Sequence, residues 1–519
     1  MIIMVSQSSW SIYYKNKPKQ IKVNQTCWSV SIRFFYVLTF RSNRTVLKMD
    51  AEKLFFPVEN QISALEKEDR FADIDRAASI GDGINRIDEF ERNLLIKEYE
   101  EYSGDVVKFV PASGAASRMF KHIHDLSEKG STLVSEFLER IHEFPFISEL
   151  REKCNDLYHV NLRELISDQR FQDLSDLILK PSGLNYSNSP KGLVPFHKCE
   201  RTLNPFQIHV NEAVKYVCKR KKIQIHFTVS PSHRMQVEEM LASYIAELNR
   251  EDIILGYSVQ KPETDTLALD TVKEVVKDEL GNTFFRPGGH GSLIYNLNEI
   301  DSDLIFIKNI DNVVKESAQE IQSRWKQILG GYLVKLSKKI FHFQRQVEEG
   351  IYSDEAMSFL SDTFGYKGLI SSNLKELLFR PIRVCGMVKE MGQPGGGPFY
   401  VKDKKTGVSL QIVEAAELDK TNSDHVKALK MATHFNPVDI VCGIKNYKSE
   451  KYDLSEFMNK DSFFTSVKNY RGKEIKTLEL PGLWNGAMAN WNSVFLEVPS
   501  ETFNPVKTVN DLLKESHQN

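Results

Sequence analysis

Cysteine is scarce in this chain. The six present (Cys27, Cys154, Cys199, Cys218, Cys385 and Cys442) are scattered over 519 residues, with no C-x-x-C pair and no metal-ligand spacing. That argues against a disulfide framework and against structural zinc, and it suits reduced thiols in a cytoplasm. No apolar run reaches the ~18 residues of a membrane span, and the nearest, Trp28 to Phe40, is short and broken by Arg33. Surplus charge is missing too. With 68 Lys+Arg against 70 Asp+Glu the net charge is −2, which gives no general affinity for polyanions and makes nucleic acid a poor partner. Neither the Walker phosphate-loop pattern nor the Gly-x-Gly-x-x-Gly dinucleotide pattern occurs. Acidic residues are absent before Asp50, and this basic leader has no clean apolar core followed by a small-residue cleavage site, so residues 1–48 are expected to be an extension with no role in the fold.

What is present reads as an α/β protein. Helical periodicity over 49–104 predicts a lead-in, and an α/β core is expected over 105–312, interrupted by a helical insertion at 120–188. A second helical insertion is expected over 313–380. Strands and Gly/Pro-rich turns over 381–519 would complete the core and supply the C-terminal segment. The runs Val107–Val110, Ile223–Val229, Ile253–Gln260 and Leu304–Ile307 read as strands alternating with helices, which predicts a mostly parallel mixed sheet, Rossmann-like and flanked by helices. In such sheets ligands sit at the carboxyl ends of the strands. The basic cluster Lys219-Arg220-Lys221-Lys222 reads as a solvated surface.

The chemistry lies in an ordered series of short motifs. Ser113-Gly114-Ala115-Ala116-Ser117-Arg118 follows a buried strand, and small residues there let backbone amides approach a phosphate. Pro190-Lys191-Gly192 implies a fixed turn carrying one exposed cation. Arg286-Pro287-Gly288-Gly289-His290-Gly291 is a second loop that brings backbone close to something flat or charged. Asn309-Ile310-Asp311-Asn312 ends a buried strand, where a carboxylate could hold Mg²⁺ together with substrate phosphates, or simply close an Asx turn.

Taken in order, these motifs resemble the UDP-sugar and UDP-N-acetylhexosamine pyrophosphorylases of the nucleotide-diphospho-sugar transferase superfamily. The likeness runs through Gly114 to Arg118, Lys191, Thr228 to Ser230, Gln260, Gly288 to Gly291 and Asn309 to Asn312. It continues through Gly395-Gly396-Gly397, Leu410 to Glu414, Phe435-Asn436 and Pro505-Val506-Lys507. It covers roughly 105–310 and 381–510, and the whole chain also resembles an uncharacterised bacterial domain family of that superfamily. Two departures stand out: Ala116-Ser117 replaces the family's usual Gly-Thr, and Glu414-Ala415-Ala416-Glu417 lacks the usual tyrosine.

The resemblance implies transfer of a nucleotidyl group, uridylyl in kind, from a nucleoside triphosphate such as UTP to a sugar 1-phosphate. It implies catalytic roles for Arg118, Lys191 and Lys507, nucleotide contacts from Ser113, Gly114, Ala115, Gln260, Gly288 and Gly289, sugar contacts from Glu414 and Asn436, and Mg²⁺ on Asp311. Two alternatives stay open at this point. One is a sugar-nucleotide-binding or regulatory protein without turnover. The other is a glycosyltransferase using Asp301-Ser302-Asp303 as its metal-binding carboxylates.

Overall fold

The computed structural model describes residues 2–6, 9–14, 17–20, 54–66, 71–127, 131–198, 202–219, 222–390, 395–403 and 407–518. Cys27, Cys199, Arg220, Lys221 and residues 21–48 of the leader lie outside them. The chain divides into two units, Met1–Asp50 and Ala51–Asn519. In the first, strands Ile2–Ser6, Ser9–Tyr14 and Lys17–Gln20 form an antiparallel meander.

The second unit is built on a ten-stranded sheet. Third from one edge is the strand Val106–Pro111, buried along nearly its whole length, as a strand covered on both faces must be. Ile223–Val229 and Leu304–Ile307 flank it in parallel, and Ile253–Val259 extends the sheet in parallel beyond Ile223–Val229. On the other side Ile440–Gly443 runs antiparallel to both Leu304–Ile307 and Ile382–Lys389. Parallel pairing then resumes through Asn492–Glu497 to Gly83–Asn85 and Ser79–Ile80.

The central sheet is therefore mixed, as expected, and the predominance of parallel pairing does not extend to the rest of the chain. The other described sheets pair antiparallel throughout. A strand buried on both faces has the same apolar run in either direction, so its composition carries no sign of its polarity.

Helices cover the faces. Pro205–Tyr216 starts from a capping box between Asn204 and Gln207 with proline in its first turn, and Arg234–Leu248 ends at Asn249 in the left-handed conformation. The 120–188 segment holds helices Thr132–Glu139, Ile147–Tyr158, Leu162–Ser167 and Phe171–Leu179. The 313–380 segment holds Gln319–Glu348, Asp354–Phe364 and Ser371–Leu378. Residues 54–104 are less uniform than their periodicity suggests. Helices Val58–Glu66 and Glu89–Glu101 enclose short strands that join the central sheet or pair with Gly396–Asp403. Helix Glu89–Glu101 packs closely on Gln319–Glu348. A Cβ at Gly331 would lie 1.8 Å from the Leu95 carbonyl oxygen, so this approach requires glycine. Among the described residues, no helix is long and apolar enough to cross a membrane.

Candidate active site

Because Val106–Pro111, Ile223–Val229, Ile253–Val259 and Leu304–Ile307 run parallel, their carboxyl ends share one edge, and the motif-bearing loops open there. The two halves of the phosphate-loop signature, separated by the 120–188 helices, meet through the backbone. Lys191 donates its amide to Gly114 O at 3.0 Å, Ala116 donates to Ser189 O at 3.0 Å, and Ala115 bridges Pro190. Gly192 is hemmed in: a Cβ there would stand 2.5 Å from the Phe206 ring and 2.9 Å from Ile310 Cγ1. The lysine is thus fixed against the strand end that carries Asp311.

Lys191 Nζ lies 2.7 Å from Asp311 Oδ2, and Lys507 Nζ lies 3.1 Å from the same oxygen. The C-terminal segment bringing Lys507 is held by Val506 N–H to Asp311 O at 3.1 Å and Asn504 N–H to Asn312 Oδ1 at 2.9 Å. Burial alone would raise the Asp311 carboxyl, but the two ammonium groups outweigh it and hold it below its usual range. Burial also pulls the Lys191 ammonium down, against the opposing pull of Asp311. The exposed turn cation expected at Lys191 is corrected here: its side chain is only 13 % exposed, because Asp311 draws it inward. Two cations on one carboxylate leave a net positive site, and exposed Arg118 forms no ion pair among the described residues. This arrangement can receive a phosphate.

Asp311 is a poor resident metal site. Its Oδ2 already accepts two lysines, and among the described residues no three His, Cys, Asp or Glu side chains group as metal ligands. Oδ1 accepts no hydrogen bond among them, so the donor set suits one ligand of a Mg²⁺ that arrives on a nucleotide.

Beneath the strand ends lies a charge network that motif reading missed. Lys108 Nζ reaches Glu212 Oε2 at 2.9 Å and His209 O at 2.9 Å, and Lys308 Nζ reaches Glu212 Oε1 at 2.9 Å. All these groups are buried. His209 Nε2 lies 3.2 Å from Asn309 O and 3.3 Å from Ile310 O, within the turn that presents Asp311. Burial pulls Lys108 down to about 7 against the attraction of Glu212. The available signal was a lysine inside the apolar run Val107–Val110, since a buried ammonium requires a buried carboxylate.

The residues expected to contact a nucleotide also converge. Gln260 donates from Nε2 to Ser113 Oγ at 3.0 Å and to Gly289 O at 3.1 Å, tying the two glycine loops together. A Cβ at Gly114 or Gly289 would meet nothing within 4 Å, whereas at Gly288 it would lie 2.5 Å from Thr264 O. Gly289 has φ +61°, which favours glycine by conformation as well as space.

Glu414 and Asn436, the residues expected to contact a sugar, both lie opposite Gly396. Asn436 is buried, with Nδ2 donating to Gly386 O at 2.8 Å and Oδ1 accepting from Val438 N–H at 3.0 Å. It holds backbone in this arrangement. Glu414 Oε1 accepts from Trp484 Nε1 at 2.8 Å, and Trp484 packs edge-to-face with His290 at 5.0 Å between centroids. Glu417 accepts from the Glu414 amide and from Asn485 Nδ2, each at 2.8 Å, and burial pushes its carboxyl up to about 7. Asp301 and Asp303 lie at the opposite edge, before Leu304, and both pair with Lys445 at 2.7 and 3.1 Å. The glycosyltransferase reading loses its metal site there.

Residues 47–518 match the family model described as a domain of unknown function, DUF4301. The chain belongs to the DUF4301 family. No curated protein matches it. Among solved structures, this DUF4301 chain is similar to a UDP-glucose phosphorylase from Trypanosoma brucei at 12% identity and TM-score 0.43, covering 88% of this chain and 75% of that one. It is also similar to a mutant UDP-glucose pyrophosphorylase from Leishmania major in complex with UDP-glucose, at 11% identity and TM-score 0.39, covering 85% and 70%. At these scores the backbones follow one another only loosely.

Proposed function

We propose that this chain is a sugar-1-phosphate nucleotidyltransferase, using a nucleoside triphosphate that the motif resemblance points to as UTP. An oxygen of the sugar phosphate attacks the α-phosphorus, a new P–O bond forms, the bond to the β-phosphate bridge breaks, and pyrophosphate leaves. Lys191 and Arg118 neutralise the triphosphate, and Lys507 meets the sugar phosphate. Backbone at Ser113, Gly114 and Ala115 cradles phosphate, while Gln260 with Gly288 and Gly289 faces the base. Glu414 binds sugar hydroxyls and Asn436 braces that segment. Asp311 would supply one carboxylate oxygen to a Mg²⁺ carried by the nucleotide, and that ion would neutralise charge on the phosphates. Such chemistry needs in-line positioning and charge neutralisation more than covalent help.

The observation that carries this reading is the meeting of Lys191 and Lys507, from distant parts of the chain, on one oxygen of Asp311 beside the Gly114 loop. A reducing, cytoplasmic setting belongs to the same proposal, supported by free thiols at Cys154, Cys218, Cys385 and Cys442.

The test is pyrophosphate release from a panel of nucleoside triphosphates and sugar 1-phosphates, with Lys191→Ala alongside. Release by the wild-type chain that falls sharply in the variant supports the reading; wild-type rates in Lys191→Ala remove the lysine from the mechanism. One feature favours a binding protein without turnover: Lys191 is already engaged by Asp311. Tight UTP binding with no pyrophosphate from any pair would be its signature.

A further inference from the structure

Among the described residues four carboxylates are buried: Glu212, Asp311, Glu417 and Asp439. Glu212 meets Lys108 and Lys308, Asp311 meets Lys191 and Lys507, and Asp439 meets Lys326. Glu417, only 6 % exposed, forms no ion pair among them. Both of its accepted hydrogen bonds, from the Glu414 amide and Asn485 Nδ2, fall on Oε2. Oε1 accepts none among the described residues, yet it is not sealed from solvent. Arg383 does not compensate. Its buried guanidinium donates to the Trp484 carbonyl, Ser493 Oγ and Gln411 Oε1. A buried carboxylate without a cation is costly, which is why this carboxyl is pushed up to about 7.

Glu417 lines a cavity of about 440 Å³. Ser409, Gln411 and Val413 of the strand Gly407–Glu414 line it too, and in a strand such alternate positions face away from Glu414. The cavity is thus separate from the surface on which Glu414 meets Trp484. Exposed Asp73, Asp403 and Asp461 outnumber Lys402 and Lys460 around it, so with Glu417 ionised the lining is net negative and attracts a cation.

We infer that this cavity is a second ligand site, specific for a primary ammonium on a small polar molecule, with the ammonium donating to Glu417 Oε1. The inference stands apart from the proposed nucleotidyl transfer. With Oε2 already engaged, the carboxylate cannot take the paired N–H fork of a guanidinium, and one free oxygen suits a compact ammonium. Ser409, Ser462 and Asn490 offer hydrogen bonds to hydroxyl or amide groups on the rest of the ligand.

The experiment titrates 4-amino-1-butanol and 1,4-butanediol, matched in length and differing in the ammonium, into the full chain by calorimetry without nucleotide. At pH 8 the amine should bind at least about tenfold more tightly than the diol. Below pH 7 its affinity should fall about tenfold per unit, because protonating Glu417 removes the partner while the amine stays charged. Glu417→Gln should remove both the preference for the amine and its pH slope. Ala489→Leu fills the same cavity and leaves the carboxylate in place, so it should weaken the amine about tenfold and decides the matter should Glu417→Gln fail to fold. Equal affinity for the two compounds, no binding of either, or amine binding that survives in a folded Glu417→Gln chain overturns the inference. The assay holds no triphosphate, so neither result bears on the proposed reaction.

Discussion

Lys191 is both the ion-pair partner of Asp311 and, in the proposed reaction, a cation facing the triphosphate, and the two roles separate on mutation. A pre-placed cation facing developing negative charge contributes on the order of 3 kcal/mol to the barrier, so Lys191→Ala should lower turnover about a hundredfold in a pyrophosphate-release assay. Because Asp311 is buried and loses one of two cations, the same variant should also unfold more easily, by roughly 1–3 kcal/mol in denaturant titration. Lys191→Ala combined with Asp311→Asn should recover much of that stability and none of the turnover. Glu417 gives a pH signature. Its folded pKa stands at about 7 against an ordinary 4.5, so its contribution to stability is fully present below pH 4.5 and is lost as pH rises through 7. Glu417→Gln should flatten that slope and exceed wild type at pH 8 by no more than about 3 kcal/mol. Wild-type and variant curves of the same shape from pH 4 to 8 would contradict the assignment. Lys191, Asp311 and Lys507 were each legible as motif members. Glu212, His209 and Trp484 were not, because their partners lie far away in sequence and no local pattern marks them.

At the scale of elements, the Gly114 loop and the helix pair behind the sheet make opposite demands on glycine. Gly114 faces open space in an ordinary backbone conformation, so Gly114→Val should leave the melting temperature nearly unchanged while weakening UTP binding at least about tenfold by filling the phosphate's place. Unaltered UTP affinity in the folded variant would mark the loop as a surface turn. Gly114 gives a cleaner test than Gly289, whose φ of +61° strains any side chain whatever the ligand does. Gly331 faces the Leu95 carbonyl, so Gly331→Ala should push helices Glu89–Glu101 and Gln319–Glu348 apart. The expected loss is about 1–3 kcal/mol, read as a lower urea midpoint at unchanged slope. The existence of most strands and helices was readable from periodicity. The direction of Ile440–Gly443 was not, because side-chain pattern records burial and says nothing of polarity.

For the molecule as a whole, the family match begins at residue 47 and the compact unit that carries the site begins at Ala51. A chain starting at Met49 should therefore melt within about 2 °C of the full chain and bind UTP equally well. A drop of several degrees would show that the leader stabilises the fold.

The sequence by itself determined the α/β class, the order of the glycine and lysine motifs, and the identity of the charged groups available for phosphate. These are local properties, set by residue type and by spacing within a single loop or strand. The tertiary structure alone decided that the separated signature halves meet through Gly114 and Lys191, that Lys507 returns to Asp311, and that Trp484 joins the Gly289 loop to Glu414. Those pairings depend on how a mixed sheet and its helices close around one edge, and long-range packing of that kind leaves no imprint on the local pattern of residues.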